Sequence, residues 1–178
     1  DYRQTLHQQW GVSDVTDCVT AVDYLSDQGL IDGQRGFIRG NSAGGYTTLC
    51  ALTFTDRFLA GASLYGISDP KRLGEITHKF ESHYLDWLIG SATEDTDRYA
   101  SRAPLLHANR VSSPILFFQG GLDKVVLPEQ TLDMVEKLEA NGVRTACHLF
   151  PEEHHGFQQA SNQQTVLEEE LKFYQATL

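Results

Sequence analysis

Residues 36–52, GFIRGNSAGGYTTLCAL, constrain the fold of this chain more than any other segment. Phe37 and Ile38 read as the end of a buried strand, and Tyr46, Leu49, Cys50 and Leu52 as the first face of a buried helix. Between them stands Gly40-Asn41-Ser42-Ala43-Gly44, a G-x-S-x-G pentapeptide. Glycine is used where backbone must turn sharply or another part of the chain comes close. A strand that turns through such a segment directly into a helix carries its serine to the carboxyl edge of the sheet. The turn lifts the hydroxyl clear of its neighbours, and the helix aims free N–H groups and its dipole at the oxygen. The pentapeptide alone recurs by chance. The strand before it and the helix after it favour a nucleophile over a plain glycine-rich turn with an exposed serine. Gly40 and Gly44 are expected on the crowded side of the turn, where a Cβ would collide with the adjacent strand or helix.

The rest of the chain repeats the alternation of strand and helix. Residues 13–28 read as a helix with Val15, Val19, Val22 and Leu25 on one face. The elbow strand covers 36–41, and the helix after it runs from Gly44 to about Thr53. Residues 58–65, FLAGASLY, read as a buried strand. Residues 66–113 are polar and studded with aromatics, with short helices expected around 77–88 and 95–101. PILFFQ, 114–119, is a continuous apolar strand of the kind buried on both faces. Residues 128–140 form a helix with Leu132, Val135 and Leu138 inward, opened by Pro128 and stopped by Gly142. RTACHLF, 144–150, is another strand, and 161–177 a last helix with Leu167, Leu171 and Tyr174 inward. Such alternation implies a layered α/β domain with a mainly parallel sheet. No linker, repeat or low-complexity stretch divides it, so 1–178 reads as one domain.

A serine hydroxyl needs a base to activate it, and the base needs a group to orient it. In the strand–elbow–helix setting these partners follow as acid and then histidine, each just after a later strand. After PILFFQ comes GGLDKVVLP, with Asp123; after RTACHLF comes PEEHHGF, with His154 and His155. Both loops leave the sheet at the edge that carries Ser42. Glu129, Glu152 and Glu153 are the rivals of Asp123. Glu129 falls inside the following helix, and the other two sit too near the histidines along the chain. His155 is preferred to His154 because Gly156 lets the loop fold toward Ser42, leaving His154 to flank the site or face solvent. Adjacent residues such as the EEHH run chelate one ion poorly, and no i, i+4 histidine pair exists, so no metal and no cofactor are expected. His7, His78, His83, His107 and His148 read as surface or packing residues.

Composition narrows the partners. A net charge of −10 with no Lys/Arg cluster argues against nucleic acid and against an anionic membrane surface. No apolar run approaches the length of a membrane span. Three widely spaced cysteines, Cys18, Cys50 and Cys147, read as reduced thiols rather than a disulfide framework, which places the chain in a reducing, cytoplasmic setting.

Three segments, GNSAGGY, QGGLDKVVLPEQ and FPEEHHGF, resemble the catalytic domain of prolyl oligopeptidase-family serine peptidases. The opening YRQTLHQQWGVSDVTDC and the middle THKFESHYL resemble its dipeptidyl aminopeptidase and acylaminoacyl peptidase branch. The resemblance covers essentially the whole chain. It implies an α/β-hydrolase fold, Ser42 as nucleophile, Asp123 as orienting acid and His155 as general base. It also implies the Ala43 N–H as one oxyanion donor, with Val126 and Tyr46 as candidate substrate contacts. Asn41 departs from the pattern, which more often has glycine there.

The implied activity is hydrolysis of short peptides through an acyl-enzyme. An esterase using the same three residues, or a non-catalytic fragment that packs against a partner, are the alternatives. The segment ahead of residue 36 has no room for the strands that normally precede such an elbow, nor for the loop that brings the second oxyanion donor. The chain therefore reads as the C-terminal part of a larger enzyme, weakly active or inactive by itself. Its elbow strand is expected to leave an open edge along 37–40, with Val15, Val19 and Val22 exposed. Those surfaces would favour self-association or pairing with the rest of a parent chain.

Overall fold

The computed structural model describes residues 1–76 and 83–178. Four parallel strands form one sheet in the order β1-β2-β3-β4: β1 is Phe37–Asn41, β2 Ala60–Leu64, β3 Ile115–Gly120 and β4 Thr145–Phe150. Every step in strand order runs the same way. The connecting helices α2 (Ala43–Phe54) and α6 (Pro128–Ala140) therefore lie on one face, as right-handed crossovers require. Helix α1 (Ser13–Asp27) covers α2 on that side, and α7 (Ala160–Gln175) closes the opposite face. Among the described residues, three short helices, α3 (Pro70–Ile76), α4 (Tyr84–Leu88) and α5 (Thr96–Ser101), lie in the long connection between β2 and β3. The expected helix over 77–88 is thus confined to α4 among the described residues, while 77–82, including His78, lie outside them.

The alternation of the strands sorts side chains between two cores. Ile115 and Phe117 face α2 and α6, where Leu49, Met134 and Leu138 meet them; Leu116 and Phe118 face α7, against Val166 and Phe173. Helix α2 is enclosed on nearly every side, with Tyr46, Leu49, Cys50, Ala51 and Leu52 buried. Glycine and alanine in β2 let it approach: a Cβ on Gly61 would press on the Ile38 carbonyl and the Leu52 side chain.

Several inward faces differ from the sequence expectation. In α7 the buried row is Val166, Glu170 and Phe173, spaced i, i+4, i+7, while Leu167 and Leu171 turn to solvent at 68% and 58% exposure. The reversal arises because the inward row contains a charge. Glu170 is buried by pairing with Arg39 of β1 at 3.0 Å, so the hydrophobic pattern pointed one residue round the helix. Leu132 of α6 is likewise outside, and Met134 takes its place beside Leu138. In α1, Leu25 is exposed, and Val15, Val19 and Val22 pack into the α2 side of the core rather than lying bare.

Strand β1 is an edge strand: it pairs with β2 from Phe37 to Asn41, and no described residue pairs with its other side. Along that side runs a groove lined by Asp14, Cys18, Ile38, Arg39, Gly44 and Thr48.

Candidate active site

Strand β1 ends at Asn41 and α2 begins at Ala43, so the whole reversal falls on Ser42, at φ 51°, ψ −115°. A residue other than glycine in that region is strained and is held there by its surroundings. The Ser42 N–H donates to the Leu64 carbonyl at 2.9 Å, and its own carbonyl accepts from the Tyr46 N–H at 3.0 Å. Backbone closeness completes the clamp. A Cβ on Gly40 would run into the Gly44 carbonyl, and one on Gly45 would lie 2.6 Å from the Gly66 Cα. Gly44 is different: a Cβ there meets nothing within 4 Å, so the second crowded glycine of the elbow is Gly45.

The other two residues arrive from the ends of β3 and β4. Asp123 is buried at 2% exposure; one carboxylate oxygen accepts from the Val125 and Val126 N–H groups at 2.9 and 3.0 Å. The second oxygen lies 2.7 Å from His155 Nδ1, and His155 Nε2 lies 2.7 Å from Ser42 Oγ. An ionised carboxylate only accepts, so Nδ1 carries the proton and the Nε2 lone pair faces the serine hydroxyl. Gly156, at φ +101°, makes the turn that brings His155 inward. His154 is exposed, with its Nδ1 3.1 Å from the Leu122 carbonyl. The three residues singled out from the sequence therefore meet in one hydrogen-bonded chain.

Two neighbours of the histidine were not singled out. The Tyr65 ring lies against the imidazole, centroids 4.8 Å apart at a steep angle, and its hydroxyl accepts from the Asn41 side chain at 3.0 Å. Asn41, the departure from the family pattern, thus holds the ring that flanks His155. Burial raises the Tyr65 phenol above its ordinary value. Glu153 is the second. It turns away from His155 and receives the Gln158 and Gln159 N–H groups and Asn162 Nδ2, each at 2.9 Å. It therefore ties the histidine loop to the start of α7. No sequence signal separated it from Glu152, which is exposed.

The bonds from Gln158 and then Asn162 hold the Glu153 carboxyl below its ordinary value of 4.5. A depressed folded value means that the stabilisation is complete above the unfolded carboxylate range. It is lost as pH falls through the folded value. Glu153→Gln is expected to destabilise the protein at neutral pH and to flatten the acid limb of its stability, read by urea melts at successive pH values. An acid limb identical to that of the parent would refute this.

Beside Ser42 opens a cavity of about 420 Å³. Ser42, Ala43 and His155 form one wall, and Trp10, Ile67, Leu85, Leu88, Val125 and Val126 are among the apolar residues that line the rest. Val126 and Ala43, both named from the sequence, line this cavity. Tyr46 does not: it is fully buried, its ring 4.2 Å from Trp10 and its hydroxyl donating to the Arg102 carbonyl at 2.9 Å. It buttresses the cavity wall from behind, because the second turn of α2 points into the core. Among the described residues no three His, Cys, Asp or Glu side chains are grouped to hold a metal ion, and no helix is long and apolar enough to cross a membrane.

A serine at the strand-to-helix elbow of a parallel sheet, bonded through histidine to an aspartate from the next strand ends, defines the α/β-hydrolase class. The model of the prolyl oligopeptidase family matches residues 1–178, and the chain belongs to that family. It is 29% identical over 168 residues to dipeptidyl aminopeptidase BIII of Pseudoxanthomonas mexicana, covering 91% of this chain and 24% of that protein. It is 30% identical over 166 residues to the acylamino-acid-releasing enzyme of Arabidopsis thaliana, covering 87% and 21%. The structure of a puromycin-hydrolyzing peptidase of Mycobacterium tuberculosis superposes with a TM-score of 0.97 at 45% identity, over 99% of this chain and 27% of that one. The chain thus spans about a quarter of the length of the proteins it matches.

Proposed function

We propose that this chain carries the catalytic machinery of a serine peptidase that hydrolyses short peptides through an acyl-enzyme. The observation that carries the reading is the continuous relay Ser42 Oγ–His155 Nε2 and His155 Nδ1–Asp123 Oδ2, both links at 2.7 Å. In this reading His155 takes the Ser42 proton as Oγ attacks the scissile carbonyl. Asp123 holds the imidazole in the tautomer that can accept and favours the imidazolium that forms. The Ala43 N–H, first of α2 and without a protein acceptor among the described residues, donates to the oxyanion. His155 then protonates the leaving amine, and water attacks the acyl-enzyme by the same route in reverse. With one assigned oxyanion donor, turnover by the 178-residue chain alone is set roughly 10²–10³ below a two-donor site.

The cavity beside Ser42 is lined largely by apolar residues, Val126 among them, so the acyl side chain it accepts is apolar. Free cysteines at Cys18, Cys50 and Cys147 support a reducing, cytoplasmic setting. The open edge of β1 supports pairing with a further strand, from a parent chain or a second copy. The test is a fluorophosphonate probe followed by a substrate panel. Labelling is expected at Ser42, and leucyl or phenylalanyl anilides should exceed the glycyl anilide by at least about tenfold in kcat/KM. Equal rates across side chains would refute the assigned pocket. Turnover confined to short acyl esters would make the protein an esterase.

A further inference from the structure

Gln119, the next-to-last residue of β3, is completely buried. Its Oε1 accepts from Thr131 Oγ1 of α6 at 2.8 Å. Its Nε2 lies 3.2 Å from the Gly120 carbonyl, 3.2 Å from the Val126 carbonyl and 3.3 Å from Asp123 Oδ2. Reversing the amide would set its oxygen against two carbonyls and a carboxylate, so the surroundings dictate its orientation. Two protons serve three acceptors, and the charged acceptor draws an N–H more strongly than a neutral one.

We propose that Gln119 is a positioning residue of the relay, fixing the oxygen of Asp123 that holds His155. Asp123 Oδ1 is anchored by the Val125 and Val126 N–H groups, while Oδ2 is held by His155 and Gln119. With the amide in place the carboxylate plane is gripped at both ends. Without it the carboxylate is free to pivot about Oδ1 and to carry the imidazole away from Ser42. Thr131 acts one step further back, because its hydroxyl determines which end of the amide faces Asp123. The relay thereby extends through Gln119 into α6. The nearby titratable groups are directed elsewhere: Lys124 and His154 are exposed, Glu153 faces the start of α7, and Tyr65 presents its ring to His155.

This inference rests on the catalytic reading of Ser42, His155 and Asp123, and the experiment separates the two. The full chain is compared with Gln119→Met, Thr131→Val and Asp123→Asn by the downfield proton signal of His155 Nδ1–H and by the rate of fluorophosphonate labelling. Gln119→Met removes the donor at nearly constant shape. It is expected to move the signal downfield, because Oδ2 is no longer shared, and to slow labelling about tenfold through lost alignment. Affinity for a reversible peptide ligand should not change, since Gln119 itself is not among the residues that line the cavity. Thr131→Val is expected to act in the same sense and more weakly, and it decides the matter if Gln119→Met does not fold. A folded Gln119→Met with parental signal and labelling overturns the proposal. So does one whose melting temperature falls while signal and labelling stay parental, which is the behaviour of a packing residue. If Asp123→Asn also leaves signal and labelling unchanged, the relay itself fails.

Discussion

Ser42→Ala is expected to lower peptide hydrolysis by a factor on the order of 10⁵–10⁶, and to abolish fluorophosphonate labelling. The magnitude follows from covalency: without the hydroxyl there is no acyl-enzyme, and His155 retains a proton-accepting nitrogen with nothing to activate. The fold should be indifferent. Among the described residues the Ser42 side chain has one partner, His155 Nε2, and alanine tolerates the elbow backbone neither better nor worse than serine. Melting temperature is therefore the control, and activity the readout. Residual activity above about one per cent, measured on protein free of contaminating hydrolases, would remove Ser42 from the mechanism.

Gly40→Ala is expected to give the largest stability loss of any single methyl addition at the elbow. The added Cβ meets the Gly44 carbonyl, and backbone in the first turn of a buried helix has nowhere to go. The cost lies at or above the upper end of overpacking, about 3 kcal/mol, or a fall of roughly 6–12 °C in melting temperature for a chain of this size. Activity should fall with it, since the displaced turn carries Ser42 and Ala43. Gly44→Ala is the internal comparison. A Cβ at that position of α2 meets nothing, and alanine replaces a poor helix former, so stability should hold or rise by up to about 1 kcal/mol. Similar melting temperatures for the two variants would show that the elbow is not clamped by the Gly40–Gly44 approach.

The elbow, the alternation of strands and helices along the chain and the three residues joined by hydrogen bonds were legible in the sequence for one physical reason. Each is announced by local chemistry: a glycine elbow between apolar segments, and acid and histidine directly beyond apolar strands. The helix faces were less legible where a charge is buried. Glu170 reads as solvent-facing until Arg39, far away in the chain, is brought beside it, and Leu167 and Leu171 then fall outside. Tyr46 was misread because an aromatic residue near a nucleophile looks like a substrate contact, whereas its place in α2 turns it toward Trp10 and Arg102. Gln119 and Glu153 carry no sequence signature at all. Their importance is in what their buried polar atoms touch, and that depends on tertiary neighbours from α6 and α7.

The position of β1 at the border of the sheet divides the surroundings of Ser42 into two unequal flanks. Every link of the proton relay comes from the flank of β3 and β4, together with the aromatic support from the end of β2. The opposite flank contributes no member of it among the described residues. On the flank of β3 and β4 the hydrogen-bonded chain and the cavity wall share residues: Val125 and Val126 hold Asp123 through their N–H groups and also line the cavity, which His155 borders as well. Any change of shape at Val125 or Val126 is therefore transmitted to the carboxylate that faces His155, so the contour of the cavity and the alignment of the imidazole are adjusted together.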